Sequence, residues 1–150
     1  MINYRNYKGR IRIPKEFNKY PTSKIGEKLF KMWFEKVYED EKIILQKADR
    51  DLQGIDAVDE KGFTYQIKTT TKCSYTFNHP KEDIENISKH LRAHFYVLIQ
   101  LNPEDEKDVA YIEGIYDAKE IKDRMKESYQ YNNCFIWKDD LKQYQLEMSL

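Results

Sequence analysis

The chain has 150 residues, 40% hydrophobic and 14% aromatic, which suffices to bury the core of one folded domain and excludes a disordered chain. Its 26 Lys and Arg residues balance 26 Asp and Glu, so the net charge does not indicate a nucleic-acid partner. No apolar run is long enough to span a membrane, and the N-terminus lacks the apolar segment of a secretory signal, so we expect a soluble, cytoplasmic protein. In that reducing compartment Cys73 and Cys134 should remain free thiols.

The first 23 residues form a predicted basic arm in which aromatic side chains are interleaved with cations. Its lysines and arginines are Arg5, Lys8, Arg10, Arg12, Lys15 and Lys19. Two interpretations are open at this point. Either the arm lies along a phosphate backbone, where each cation displaces counterions, or it holds a solvated edge strand at residues 10–13 whose charges discourage aggregation.

The spacing of apolar residues predicts a first helix that begins near Lys24, after the Pro21–Ser23 segment, which offers a hydroxyl cap. Its predicted buried stripe comprises Ile25, Leu29, Met32, Trp33 and Val37. Glu27 lies at the border of this stripe, on the side of Phe30 and Phe34. It is directed into a cleft, or it is an ordinary exposed glutamate that the helix dipole favours.

A predicted hairpin within residues 49–71 is the main candidate site of the chain. Its two short strands are joined by a tight turn that contains Gly62. Side chains alternate along a strand, so Gln66 and Lys68 share one face of the second strand. Asp56 lies on the partner strand, within cross-strand reach. A carboxylate, an amide oxygen and an ammonium on one sheet face suit a metal ion and a phosphate.

The remaining elements alternate between strands and helices. The predicted strands are Ile43–Leu45, His94–Leu101, Val109–Tyr116 and Cys134–Trp137, and the predicted helices are one opened by Asn78–Pro80 and one over Ala118–Glu127 that Asp117 caps. The apolar run from His94 indicates a central strand buried on both faces. Leu141–Leu150 is a terminal segment whose type the pattern leaves open. This order predicts an α/β fold with a mixed sheet flanked by helices.

Three other chemistries are weaker candidates. A zinc site would use Cys73, His79, His90 and His94, of which the last two are spaced for one helix face, but no Cys-x-x-Cys accompanies them. A serine nucleophile would need a Gly-x-Ser-x-Gly elbow, which is missing from the sequence. Phosphate-binding loops and dinucleotide fingerprints are missing as well.

The segment Gly54-Ile55-Asp56, nine further residues, and then Gln66-Ile67-Lys68 resembles the active-site signature of the PD-(D/E)xK nuclease superfamily, in its variant with glutamine in the acidic slot. Glu27 resembles the glutamate on the first helix of that superfamily. The resemblance implies a restriction endonuclease-like αβββαβ core over residues 24–101. The basic arm (1–23) would precede this core, and residues 102–150 would extend the same single domain with extra strands and a helix.

The resemblance also implies a role for each site residue. The implied ligands of a Mg²⁺ or Mn²⁺ ion are Asp56 as the principal one, Glu27, the side-chain oxygen of Gln66 and the backbone carbonyl of Ile67. Lys68 would orient or activate the attacking water, or stabilise charge on the phosphate. Thr69 and Thr70 would donate hydrogen bonds to phosphates, although solvated threonines at a strand end explain them equally well.

These roles imply a metal-dependent endonuclease that hydrolyses phosphodiester bonds of DNA, with RNA left open as a substrate. Cutting both strands takes two sites, which favours a homodimer. The rival hypothesis is a nuclease-fold protein that acts as a nucleic-acid-binding or assembly module, because Gln66 is neutral where most of the superfamily has a carboxylate. Asp49, Asp51 and Asp59 are local carboxylates that would compensate for the missing charge, and Asp51 is the preferred one.

Overall fold

The computed structural model describes residues 7–46, 54–77, 81–103, 106–141 and 146–149. The strands within these ranges are β1 (Tyr7–Arg12), β2 (Ile43–Leu45), β3 (Ala57–Asp59), β4 (Thr64–Thr70), β5 (Ser74–Phe77), β6 (Phe95–Leu101), β7 (Val109–Asp117), β8 (Lys126–Glu127), β9 (Cys134–Trp137) and β10 (Leu146–Ser149). The α-helices there are α1 (Thr22–Val37) and α2 (Ala118–Arg124), and the 3-10 helices are Lys15–Lys19, Lys81–Lys89 and Lys138–Leu141.

A large mixed sheet has the strand order β10-β1-β7-β6-β4-β3-β2. Strands β2, β3 and β4 are consecutive and antiparallel, whereas β6 lies parallel to β4. Strand β7 is antiparallel to both β6 and β1, and β10 is parallel to β1. The prediction of an α/β fold with a mixed sheet and flanking helices is confirmed.

Each face of the large sheet has its own hydrophobic core. On one face α1 packs with Phe30, Trp33 and Phe34 against the sheet. The other face is covered by α2, the 3-10 helix Lys81–Lys89 and a small antiparallel sheet of order β5-β9-β8. Strand β6 contributes to both cores, because Val97 faces α1 and Leu98 faces the small sheet. The prediction of a central strand buried on both faces is confirmed.

The prediction of an edge strand near the N-terminus is wrong. Strand β1 begins at Tyr7 and lies inside the sheet, paired with β7 on one side and β10 on the other. Strand β10 lies in the terminal segment whose type of secondary structure the sequence pattern left open. This strand covers the edge of β1. Lys8 and Arg10 therefore project from a sheet face between two paired strands.

Two helix predictions also need correction. The first turn of α1 has Pro21 as its N-cap and no side-chain cap, so the predicted hydroxyl cap is wrong. The segment after residues 78–80 forms a 3-10 helix instead of an α-helix. By contrast, the capping box of α2 is confirmed, since Asp117 accepts a bond from the Glu120 N–H at 2.8 Å and the Glu120 carboxylate accepts one from the Asp117 N–H at 3.2 Å. None of the described helices is long and apolar enough to cross a membrane.

Candidate active site

Asp56 lies where β3 and β4 diverge. Its backbone N–H donates to the Tyr65 carbonyl at 2.8 Å, which extends the pairing of β3 with β4 by one residue. Beyond that point no described strand pairs with β4 on this side. The Asp56 carboxylate accepts the backbone hydrogen bond there instead, from the Ile67 N–H to its Oδ2 at 2.7 Å. Within the described ranges, Oδ1 of the same carboxylate accepts no hydrogen bond.

The backbone of Ile67 adds a second oxygen to this place. The N–H and C=O groups of one strand residue point to the same side, so the Ile67 carbonyl points toward the gap that Asp56 borders. The Ile67 side chain is buried in the core beneath α1. The sequence expectation that Ile67 anchors the strand in the core is confirmed.

Gln66 and Lys68 lie on the opposite face of β4 from Tyr65 and Ile67, as the alternation predicts. The amide of Gln66 lies beside Gly54, since a Cβ built on that glycine would be 4.0 Å from Gln66 Nε2. Gly54 has a φ of +84°, a backbone conformation that favours glycine. Glycine two residues before Asp56 is thus favoured by the backbone conformation, since a side chain there would only be in ordinary contact with Gln66.

Lys68 is half-buried, and its Nζ lies 5.1 Å from the centre of the Phe77 ring on β5. Burial lowers the pKa of Lys68, and the negative charge of Asp56 opposes that shift. Phe77 was missed from the sequence. The alternation of Ser74 and Thr76 with Tyr75 and Phe77 is the pattern that would have revealed β5 and this contact.

Glu27 reaches the same place from α1. Its pKa is raised first by burial and then by the negative charge of Asp56, while Lys24 and Lys28 act in the opposite direction. The neighbouring Gly26 sits so close to Thr69 of β4 that any side chain there would overlap the threonine. This close approach of helix and strand brings Glu27 toward Asp56.

Asp56 therefore influences two titratable groups from two elements, Glu27 of α1 and Lys68 of β4. Burial also raises the pKa of Asp56, although the Ile67 hydrogen bond and the charge of Lys68 lower it. Two carboxylates with raised pKa values thus lie near a lysine with a lowered pKa. Each shift means that burial in the folded protein disfavours the charged form of that side chain. Such clusters occur preferentially at functional sites.

The donors fit a hard divalent cation. Two carboxylates, the Gln66 amide oxygen and the Ile67 carbonyl are all oxygen ligands, which Mg²⁺ and Mn²⁺ prefer, and water commonly completes their shells. Among the described residues no three His, Cys, Asp or Glu side chains converge. An ion held here would accordingly depend on the neutral oxygens as well as on Glu27 and Asp56.

The carboxylates expected to compensate for Gln66 are not available in the described part of the site. Asp59 is buried and binds the hairpin turn: its Oδ1 accepts bonds from the N–H groups of Lys61 and Phe63, and its Oδ2 accepts one from the Tyr65 hydroxyl. The expectation that Asp59 supplements the site is therefore wrong. Asp49 and Asp51 lie outside the described residues.

The predicted phosphate-binding threonines face opposite ways. Thr69 Oγ1 is buried against Gly26 and has no hydrogen-bond partner among the described residues. Thr70 lies on the Lys68 face, and its hydroxyl accepts a bond from the Lys72 N–H at 3.0 Å. Of the two, Thr70 is the one in a position to meet a phosphate near Lys68.

The basic residues of the N-terminal segment lie away from this place. Strand β1 is separated from β4 by β7 and β6, a distance of roughly 14 Å at the usual strand spacing. Lys8 and Arg10 line a pocket of about 430 Å³, where Arg10 pairs with Glu106 at 2.5 Å. Arg12 is exposed, and Arg5 lies outside the described residues.

The thiols and histidines do not form a second site in the described structure. Cys73 is exposed, Cys134 is buried, and the two form no disulfide, as expected. His94 Nδ1 accepts a bond from the Thr64 N–H at 3.0 Å, which ties it to the hairpin. His79 lies outside the described residues.

The chain gives no significant match to protein-family models, to curated proteins or to solved structures. What distinguishes the site is its own geometry: Asp56 at the divergence of two strands, with Glu27 on one side of the sheet and Lys68 on the other.

Proposed function

We propose that the protein is a metal-dependent endonuclease that hydrolyses phosphodiester bonds of DNA on a restriction endonuclease-like fold. The element order supports this proposal, since α1 precedes the antiparallel strands β2, β3 and β4, and β6 is parallel to β4. The αβββαβ core would then hold a 3-10 helix, Lys81–Lys89, in place of its second α-helix. Cleavage of both strands of a duplex would require two copies of the site, so a homodimer is the expected working form.

The observation that carries the proposal is the position of Asp56 where the pairing of β3 with β4 ends, with its Oδ2 bonded to the Ile67 N–H at 2.7 Å and its charge acting on both Glu27 and Lys68. Carboxylates from a helix and a strand meet a lysine from the next strand at a gap in the sheet. When bound, a divalent cation supplies polarisation of the phosphate and lowers the pKa of water. Asp56 and Glu27 would hold that cation together with the Gln66 oxygen and the Ile67 carbonyl.

The chain itself provides the group that faces the reacting phosphate. Lys68 is fixed on Phe77 and half-buried, so it loses little side-chain freedom when it acts. Burial lowers the pKa of Lys68, which is the direction that suits a residue that orients or deprotonates a water. In its charged form it stabilises the negative charge that develops on the phosphate oxygens.

A second candidate function is supported by the neutral Gln66. A site with only two described carboxylates, one of them already bonded to the Ile67 N–H, binds a cation more weakly than one with three. The protein would then bind nucleic acid or join an assembly without cutting. In that case Asp56 and Lys68 would serve the fold and the binding surface.

The two candidate functions are distinguished by cleavage assays. The substrates are supercoiled, linear, branched and single-stranded DNA and RNA, each with Mg²⁺ and with Mn²⁺. We expect cleavage by the wild type and a fall of roughly 100-fold or more in Lys68→Met, which keeps the length of the side chain but removes the charge. Lys119→Met, the same change at an exposed position of α2, is the matched control and should cut normally. Lys68→Met that cuts like the control would overturn the site, and wild-type binding without cutting on every substrate would favour the second function.

A further inference from the structure

The outer face of the small sheet carries aromatic side chains that the fold leaves exposed. Phe135 and Trp137 lie on β9, and Tyr129 and Tyr131 lie in the turn between β8 and β9. Tyr129 is fully exposed, Tyr131 is 66% exposed and Trp137 is 41% exposed. The rings of Phe135 and Trp137 stand edge to face with centroids 4.9 Å apart. We call these four residues the aromatic surface, and they line a pocket of about 420 Å³.

The fold does not require aromatic residues at these positions. Alternation along β9 sends Cys134 and Ile136 into the core, so the core is complete without Phe135 and Trp137. Outward positions of a half-buried antiparallel sheet are normally polar. A cluster of exposed rings in such positions indicates a binding surface.

The polar residues that line the pocket indicate which chemical class of ligand it would bind. Hydroxyl and amide groups come from Ser74, Thr76, Ser128, Gln130 and Asn133. Lys72 is the charged residue among the described lining residues, and no described carboxylate lines the pocket. A nucleotide offers a planar base for the rings and an anionic phosphate for Lys72, whereas a neutral sugar offers no anion.

A polar path leads from this pocket to the end of β4, the strand that carries Lys68. A second pocket of about 300 Å³ lies at the end of β4. It shares Lys72, Ser74 and Thr76 with the first and continues to Thr70. Thr70 and Lys68 lie on the same face of β4, two residues or roughly 7 Å apart along the strand. The path is lined by hydroxyls and one cation, which suits a sugar-phosphate backbone.

We propose that the aromatic surface binds unpaired nucleotides of a single strand whose backbone follows this path to Lys68. The proposal rests on the proposed nuclease function and names its substrate class: nucleic acid that is single-stranded or locally unpaired. Bases inside a duplex are stacked on one another and present only their edges, so exposed rings gain stacking partners only from unpaired bases. DNA and RNA share this chemistry, and both enter the test.

The test measures affinity in EDTA, so that no strand is cut. The probes are fluorescein-labelled 12-mers of single-stranded DNA and RNA, a 12-base-pair duplex, and an abasic 12-mer that keeps the phosphates and lacks the bases. We expect the single strands to bind more tightly than the duplex and the abasic strand. Tyr131→Ala and Trp137→Ala should each weaken single-strand binding about tenfold, as loss of one stacked base does elsewhere. Phe63→Ala, another exposed aromatic position outside the surface, is the matched control and should bind normally.

Tryptophan emission provides a second readout of contact at the surface. The other tryptophan, Trp33, is fully buried, so quenching on titration with single strands should come from Trp137 and should disappear in Trp137→Phe. Far-ultraviolet circular dichroism confirms that each variant is folded. Equal wild-type affinity for the abasic and normal strands would overturn the proposal, as would unchanged binding in both alanine variants or tighter binding of a neutral oligosaccharide than of any single strand.

Failure of this inference is distinct from failure of the nuclease function. Asp56→Asn should still bind single strands through the aromatic surface. If the wild type binds unpaired strands through the aromatic surface but never cuts them, the nuclease proposal is refuted and the proposal of the binding surface stands. A wild type that cuts, with Tyr131→Ala and Trp137→Ala unchanged in binding, would remove the binding surface alone.

Discussion

Glu27 and Asp56 are half-buried carboxylates, and the negative charge of Asp56 raises the energy of ionised Glu27. Burial and the charge of Asp56 raise the pKa of Glu27 above its usual 4.5. The stabilisation that protonated Glu27 provides is therefore complete below pH 4.5. It is lost as the pH rises through the raised pKa of the folded state. At neutral pH, in the absence of a cation, the charge on Glu27 therefore destabilises the folded protein.

Glu27→Gln should consequently raise the melting temperature at pH 7, by about 2 °C, because the amide needs no ionisation. The gain should shrink as the pH falls below 4.5 toward pH 4, because the glutamate becomes protonated in the unfolded as well as the folded state. Thermal melts from pH 4 to pH 8 measure it, with the exposed Glu16→Gln as the matched control. A lower melting temperature for Glu27→Gln at pH 7 would contradict this assignment.

In the proposed metal site, Gln66 is the residue on which the strength of metal binding would depend. Gln66→Glu should tighten binding of Mn²⁺ about tenfold, since a third carboxylate joins Glu27 and Asp56 around the ion. The same variant should unfold more easily without metal, because a third negative charge adds repulsion. Gln66→Met, which removes the oxygen but keeps the length, should weaken binding. Calorimetric titration measures all three, and equal Mn²⁺ affinity across them would place Gln66 outside the metal site.

The sequence pattern predicts which face of β4 carries Gln66 and Lys68, but not the contacts of the carboxylates near them. Alternation along β4 suffices to predict that Gln66 and Lys68 share a face. Alternation cannot predict that the Asp56 carboxylate accepts a bond from the Ile67 N–H, or that the Asp59 carboxylate is hydrogen-bonded to the hairpin turn. Both contacts depend on the residue at which β3 ends and leaves β4 without a partner strand. That end point is set by tertiary packing.

At the scale of elements, the position of α1 on β4 is set by a helical glycine against a threonine. Gly26→Ala should destabilise the protein by about 1–3 kcal/mol through overpacking against Thr69, although alanine favours helices intrinsically. It should also reduce activity, since Glu27 moves with the helix. Urea denaturation measures the stability, with Ser23→Ala as a control in the same helix that should change little, because no side chain caps α1. A Gly26→Ala variant of unchanged or greater stability would refute this packing account.

The small sheet shows why some elements escaped prediction. Strands β5 and β8 have only four and two residues, so their alternation is easily taken for a loop, whereas β9 was predicted with its observed bounds. The segment Lys81–Lys89 has apolar residues at helical spacing, yet it forms a 3-10 helix whose Ile87 packs in the second core. Long, strongly patterned elements such as α1 and β6 were predictable, because their own residues carry the pattern.

At the scale of the whole molecule, metal binding should be visible as stability. A cation that binds only the folded protein at 100 times its dissociation constant stabilises it by about 2.7 kcal/mol. For a chain of this length that corresponds to a rise in melting temperature of roughly 5–10 °C. Mg²⁺ and Mn²⁺ should therefore raise the melting temperature of the wild type and leave that of Asp56→Asn unchanged. Equal shifts in both proteins would show that the ions bind elsewhere.

The fold also explains why the basic N-terminal residues were hard to interpret from sequence. Their strand pairs with β10 from the far end of the chain, and sequence patterns carry no information on such distant partners. Lys8 and Arg10 share a pocket with Glu106 and Glu113, so their charge is partly balanced locally. A contribution of this pocket to nucleic-acid binding stays a prediction.

The most direct test of the nuclease proposal is the metal-dependent cleavage rate of Asp56→Asn beside Asp123→Asn, the same substitution at an exposed position of α2. On the substrate that the wild type cuts fastest with Mn²⁺, we predict that Asp123→Asn cuts at the wild-type rate. Asp56→Asn should be slower by roughly 100-fold or more, since it loses the principal ligand of the ion. Cleavage by Asp56→Asn at the rate of Asp123→Asn would contradict the proposal that this site cuts DNA.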